Sequence, residues 1–252
     1  MRLGEWEGDF IIKELKLIIF KNSEKDMGCC ASHEAGAGGS KKGGDKVVEE
    51  ERKLGLHEIA IADFQRILKE GAGDREITVG ELGEAFKAYS FGQSLLAEGD
   101  NAAKKLVSHS VFQGRGGELD WLHLFMIGLL YAKGNAAQKV DSMLLTYDTN
   151  GDGIIFTTSM KKILTDLVTI AGVIMPAIVA NVDFEEADAQ GGEAVDTLVS
   201  DTNGIIFGNE LQVDAARIKK VFGKEVNYSL NSVKLRTKFP VKIGAEPPKA
   251  AE

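Results

Sequence analysis

Asp148-Thr149-Asn150-Gly151-Asp152-Gly153-Ile154-Ile155-Phe156-Thr157-Thr158-Ser159 is the stretch on which the fold of this 252-residue chain turns. Counting Asp148 as position 1, side-chain oxygens fall at positions 1, 3 and 5 (Asp148, Asn150, Asp152). Gly153 permits a sharp turn at 6, and Ile154 offers its carbonyl at 7. That order of hard oxygen donors wraps a divalent cation. Ile155 at position 8 is an apolar, β-forming residue suited to pairing with a second loop. Val140, Met143, Leu144 and Tyr147 recur at helical spacing before the loop, and a second apolar helix follows it.

Position 12 departs from the pattern. A bidentate glutamate there donates two oxygens and a negative charge, whereas Ser159 donates at most one neutral oxygen. The candidate metal ligands are therefore Asp148, Asn150, Asp152, the Ile154 carbonyl and Ser159. Calcium is expected to bind weakly, magnesium is an alternative because it keeps more of its water, and a scaffold without metal stays open.

The motif recurs. Asp201-Thr202-Asn203-Gly204-Ile205-Ile206-Phe207 repeats the first copy without positions 4 and 5 and regains an acid, Glu210, at position 12. Asp201, Asn203 and Glu210 thus form a possible degenerate metal loop, in which a ten-residue ring is expected to have lost binding. Fainter copies lie at Glu70–Glu81, with Asp74 at 5 and Ile77 at 8, and at Phe112–His123, with Leu119 at 8. Further stripes (Leu82, Ala85, Phe86, Tyr89; Trp121, Leu122, Phe125, Leu129; Leu211, Ala215, Ile218, Phe222) mark core-facing helices. Only four prolines occur, so long helices are unobstructed. The expected fold is all-α: four helix–loop–helix units in two lobes, with short strands pairing the loops.

Composition narrows the function. Thirty basic against 38 acidic residues leave a net charge of −8, which argues against a nucleic-acid partner. Cys29 and Cys30 are adjacent and cannot staple a fold, which fits a reducing, cytoplasmic setting. The four histidines (33, 57, 109, 123) are scattered, and Gly114-Arg115-Gly116-Gly117 reads as a flexible turn, so an enzyme is not expected. Leu167–Ala180 is the longest apolar run; it falls short of the ~20 residues of a membrane span and contains Pro176, which reads as a buried helix end.

Residues 1–26 form an N-terminal extension that lacks the marks of a secretory signal. Met27-Gly28-Cys29-Cys30-Ala31-Ser32 then matches an N-myristoylation start, provided that Met27 is the true first residue. Gly28 would carry the acyl chain, and Cys29 or Cys30 the palmitoyl group that makes anchoring stable. On that condition the protein sits at a membrane surface. Residues 27–53 combine this motif with a flexible glycine-rich linker; 54–134 form a degenerate pair of units and 135–223 the pair with the near-consensus loop. Residues 224–252, with Lys234, Arg236, Lys238 and Lys242, are either an edge strand or a basic, partly disordered tail.

On these residues the chain resembles the EF-hand superfamily, and within it the myristoylated four-hand layout of calcineurin B and the neuronal calcium sensors. The resemblance spans Leu54–Phe222 in architecture and is specific at residue level over Lys139–Leu167. It implies a calcium-binding regulatory or adaptor protein that docks a protein partner in an apolar groove, here lined by Phe125, Leu129, Met143, Leu144, Ile163 and Leu167. The chain is similar, alternatively, to the myristoylated, EF-hand-like helical region that precedes the TLDc domain in proteins acting at lysosomal membranes in growth signalling, and would then be the regulatory half. A calcium-independent helical scaffold is the third reading.

Overall fold

Helix starts are written into the sequence by capping side chains. Thr78 accepts a hydrogen bond from the Glu81 amide while Glu81 accepts one from the Thr78 amide, and Asn135 and Gln138 form the same reciprocal box. Asn101, Asp120, Asp183, Asp214 and Asn231 cap other helices in the same way. Each satisfies an amide that the helix itself leaves unpaired, for about 1 kcal/mol.

The computed structural model describes residues 42–73, 76–148 and 150–244. The extension 1–26 and the acylation candidates Gly28, Cys29 and Cys30 lie outside the described residues, as does Asp74. In chain order the elements are α1 (Lys42–Lys53), α2 (Ile61–Ala72), α3 (Val79–Ala85), α4 (Ser90–Leu96), α5 (Ala102–Ser108), α6 (Trp121–Tyr131), α7 (Ala136–Tyr147), β1 (Ile154–Phe156), α8 (Thr157–Thr169), α9 (Met175–Ala180), α10 (Phe184–Phe207), β2 (Gln212–Asp214), α11 (Ala215–Lys224) and α12 (Ser232–Lys238). The chain is mostly helical, as an all-α fold requires.

Helix α6 is apolar on every side, and Leu124–Tyr131 are all buried, so it runs through the core instead of along its surface. Phe64 of α2 crosses it at Gly128, where an added Cβ would lie 2.3 Å from the ring. Phe64 also packs on Phe86 with ring centroids 4.9 Å apart, and Phe86 on Phe91 at 5.8 Å. Helix α10 lies along α8, and α11 packs on α7.

Two backbone pairings tie turns together. Ile77 and Leu119 form an antiparallel bridge, exchanging hydrogen bonds of 2.9 and 2.7 Å. Strands β1 and β2 pair antiparallel with Ile155 opposite Val213. Of the four residues that loop spacing puts at position 8, Ile77, Leu119 and Ile155 each take part in one of these pairings, whereas Ile206 lies inside α10.

Four segments differ from the sequence expectation. Lys42–Lys53 is helix, not linker: Val47 and Glu51 are buried, and Glu51 accepts two hydrogen bonds from Arg236, one of them 3.0 Å long, and one of 3.1 Å from Ser232. The tail is neither strand nor disordered up to Gly244: Leu235, Phe239 and Ile243 are buried, and the Phe239 ring stands where a Cβ on Gly172 would be 3.0 Å away. The helix does not end at Pro176. Residues 170–174 widen into a π-helical turn that carries the chain past the proline, which cannot donate to the ladder, into α9. Thr157–Ala180 is thereby long and apolar enough to cross a membrane by composition, and 67% of its apolar window is buried inside the protein. Lastly, Leu211 is not the first residue of a helical stripe but an exposed residue of the turn before α11.

Candidate metal loop

Asp148 is the last residue of α7's hydrogen-bond ladder, its amide donating to the Leu144 carbonyl at 2.8 Å. Its carboxylate turns back into the loop. Oδ2 accepts from the Gly153 amide at 2.9 Å, while Oδ1 is buried with no hydrogen-bond partner among the described residues. Gly151 and Gly153 take φ values of 70° and 73°, a region in which an L side chain is strained, and so allow the chain to curl around that carboxylate.

Asp152 is also held by the loop itself. Its Oδ1 accepts from the Ile154 amide at 2.8 Å and its Oδ2 from the Asn150 side-chain amide at 2.8 Å. A half-turn of the Asn150 amide group would present its oxygen in place of its nitrogen. The loop thus links Asp152 to Asn150 and to the Ile154 amide, and turns Asp148 onto the Gly153 amide. Ser159, half-buried in the first turn of α8, adds no charge. Among the described residues no group of three or more His, Cys, Asp and Glu converges, so the loop carries two carboxylates and no third.

The second copy is a different object. Asp201, Thr202, Asn203 and Ile206 lie inside α10, with Thr202, Asn203, Ile206 and Phe207 on its buried face. Asp201 and Asn203 therefore form no loop, and they share no centre with Glu210. The register of β1 with β2 puts Val213, not Ile206, opposite Ile155. With Val213 at position 8, the turn opposite the 148–159 loop runs from Ile206 to Arg217, a full twelve residues. Its position 12 is a cation: Arg217 donates from Nε to the Ile206 carbonyl at 2.9 Å and from Nη1 to Glu210. Sequence reasoning missed Arg217 because the conspicuous Ile-Ile-Phe repeat fixed the wrong alignment. Asp214, which caps α11 three residues before Arg217, was the available signal.

The two loops are laced together beyond the strands. The Ala215 amide donates to the Gly153 carbonyl at 2.7 Å, the Thr157 amide to the Leu211 carbonyl at 2.9 Å, and the Thr157 hydroxyl to the Glu210 carbonyl at 3.1 Å.

Among their described residues, the fainter loops hold no set of oxygens of this kind. Glu70 pairs with Arg66 at 3.0 Å, Glu81 caps α3, and Phe112 is buried in the core. Glu76 accepts from the Arg115 amide at 2.7 Å and so props the turn that contains Gly114. His123 donates between Nδ1 and Asp166 at 2.7 Å, which holds its pKa above the ordinary 6.5. His109 accepts from the Val111 amide on Nδ1 and faces Asp188 with Nε2 at 3.3 Å; burial lowers its pKa. A shallow cleft of about 360 Å³ opens beside His109, lined by Asp188 and Asp196.

Comparison with family models, with curated proteins and with solved structures gives no match. The chain's own geometry carries the functional argument. Phe125, Leu129, Met143, Leu144, Ile163 and Leu167, the six residues expected to line a groove, are all buried in the core. In this state they present no groove.

Proposed function

We propose that the protein is a non-catalytic regulatory or adaptor protein of the EF-hand type, with paired helix–loop–helix units and a weak divalent-cation site at residues 148–159. Asp148, Asn150, Asp152 and the Ile154 carbonyl bind the ion, Ser159 closes the loop poorly, and water completes the shell. The single observation that carries this reading is the Asp148 Oδ1 atom, buried and without a partner inside an oxygen-rich turn. A bare carboxylate oxygen in that position costs free energy unless a cation or donor meets it. Calcium takes six to eight oxygens, and a loop with two carboxylates and no closing glutamate supplies too few for tight binding. Magnesium, which retains several waters, is the competing ion.

Membrane attachment through Gly28, Cys29 and Cys30, in the cytoplasm and with Met27 as the start, belongs to the same proposal, as does a protein partner. The apolar faces of α6, α7 and α8 would receive the partner only after separating. Burial of all six groove residues favours the second reading, a helical scaffold indifferent to metal. Support for a non-catalytic role comes from the buried His109, whose ring nitrogens are engaged by Val111 and Asp188, and from the half-buried His123, engaged by Asp166.

Calorimetric titration of the protein with calcium and with magnesium separates the readings. The cation-site reading expects saturable heat with a Kd on the order of 10⁻⁴–10⁻³ M, lost in Asp148→Ala. No heat from either ion, or heat unchanged in the variant, leaves the scaffold.

A further inference from the structure

We propose that Arg217 is the resident cation of the second loop, its guanidinium standing where the paired hand would hold a metal ion. The inference rests on the EF-hand reading for its numbering, and on three contacts for its substance. With Val213 at position 8, positions 1, 3 and 5 fall on Ile206, Gly208 and Glu210, of which only Glu210 carries a side-chain oxygen. The Arg217 guanidinium reaches the first through the Ile206 carbonyl at 2.9 Å and the third through the Glu210 carboxylate. At position 3 it lies over Gly208, where an added Cβ would be 3.9 Å from Nη2. No side chain at position 3 competes for the space.

The residue at position 12 ordinarily closes the loop by bringing two oxygens to a bound ion. Arg217 inverts the charge: it brings the positive group itself and leaves the oxygens where they are. Its own amide is fixed by the Asp214 carboxylate at 2.7 Å, so the side chain leaves α11 from an anchored turn. A planar guanidinium with several fixed N–H groups can serve a carbonyl and a carboxylate at once, which a lysine ammonium does less well.

The consequence is that the second loop is closed by a cation of its own chain, through hydrogen bonds and an ion pair. The 206–217 turn holds β2 in place against β1 through the Thr157–Glu210 and Thr157–Leu211 contacts, without waiting for an ion. Arg217 is thus a positioning residue for the 148–159 loop, and the pair answers to one ion, not two.

Amide hydrogen exchange on the full chain without metal is the test, read at Thr157 and Ala215, whose amides cross between the loops. Arg217→Met keeps the aliphatic stem and removes the charge; because the Arg217–Glu210 pair is largely exposed, protection at both amides should fall about two- to tenfold. Arg217→Lys should fall between wild type and Arg217→Met. Arg217→Glu sets a further carboxylate beside Glu210 and Asp214, and its protection should fall at least as far as that of Arg217→Met. Unchanged protection in Arg217→Met, or Arg217→Glu better protected than Arg217→Met, overturns the inference. Failure of the 148–159 loop to bind calcium would show instead in wild-type calorimetry and would leave the metal-free exchange result standing.

Discussion

Lys139 is a buried cation whose cost can be worked out. Its ammonium donates to the carbonyls of Leu130 at 3.1 Å and Leu230 at 3.0 Å, joining the end of α6 to the turn before α12. These partners are dipoles, not carboxylates, and burial lowers the pKa from 10.5 to about 8. The folded state therefore holds this proton less tightly than the unfolded chain does. Below about pH 8 both states are protonated and the folded state bears the whole penalty. Between about pH 8 and 10.5 the unfolded chain binds the extra proton, so stability must rise with pH. At about 1.4 kcal/mol per pH unit the full effect is about 3 kcal/mol, of which about 2 kcal/mol is recovered between roughly pH 7 and 9.5. Tyr131 and Tyr147, whose hydroxyls burial holds above the ordinary 10, act in the opposite direction only from about pH 10 upward. Urea unfolding of wild type and Lys139→Met at about pH 7, 8.5 and 9.5 isolates the lysine. The variant loses the two hydrogen bonds at every pH, whereas wild type should gain about 2 kcal/mol relative to it across the series. A difference that stays flat with pH would refute the assignment of a strained ammonium at this position.

Other perturbations have definite outcomes. Glu51→Ala leaves the Arg236 guanidinium buried against α1 without its carboxylate, and should cost about 3–5 kcal/mol in denaturant unfolding; replacing both residues by Met should recover most of that. Gly128→Ala forces a Cβ against Phe64 and should destabilise by about 1–3 kcal/mol, whereas Gly192→Ala, inside α10 with nothing within 4 Å, should stabilise by about 0.5–1 kcal/mol. The raised pKa of His123 means that its bond to Asp166 stabilises fully below about pH 6.5 and weakens as pH climbs through the folded value; Asp166→Asn should therefore cost more stability at pH 6 than at pH 9.

Sequence spacing located what depends on local chemistry. Asp148, Asn150 and Asp152 sit in one turn because Gly151 and Gly153 follow them at the places where φ must be positive. Ile77, Leu119 and Ile155 pair because an apolar residue in the middle of a polar turn has one face to bury. The repeat at 201–207 misled because identical residues obey their surroundings. In the first copy two glycines flank Asp152, while in the second the same letters continue a helix that already runs from Phe184, and Thr202, Asn203, Ile206 and Phe207 fall on its buried side. Tertiary packing also decided the ends. Two glycines near the start of α1 favour linker by propensity, but Val47 and Glu51 find partners in the body of the protein. In the tail the alternating lysines suggest a strand, yet Leu235 and Phe239 are four apart and both bury as a helix face does.

The central claim is that the 148–159 turn receives a divalent ion, and the Gly153 amide reports on it directly because it donates to Asp148 Oδ2. Amide spectra of the protein titrated with calcium to about 10 mM, above the range of the weakest known loops of this kind, should show a saturable shift at Gly153 and Ile155, with a smaller one at Val213 across the strand pair. A Gly153 resonance that does not move over that range, in calcium or in magnesium, would contradict the account.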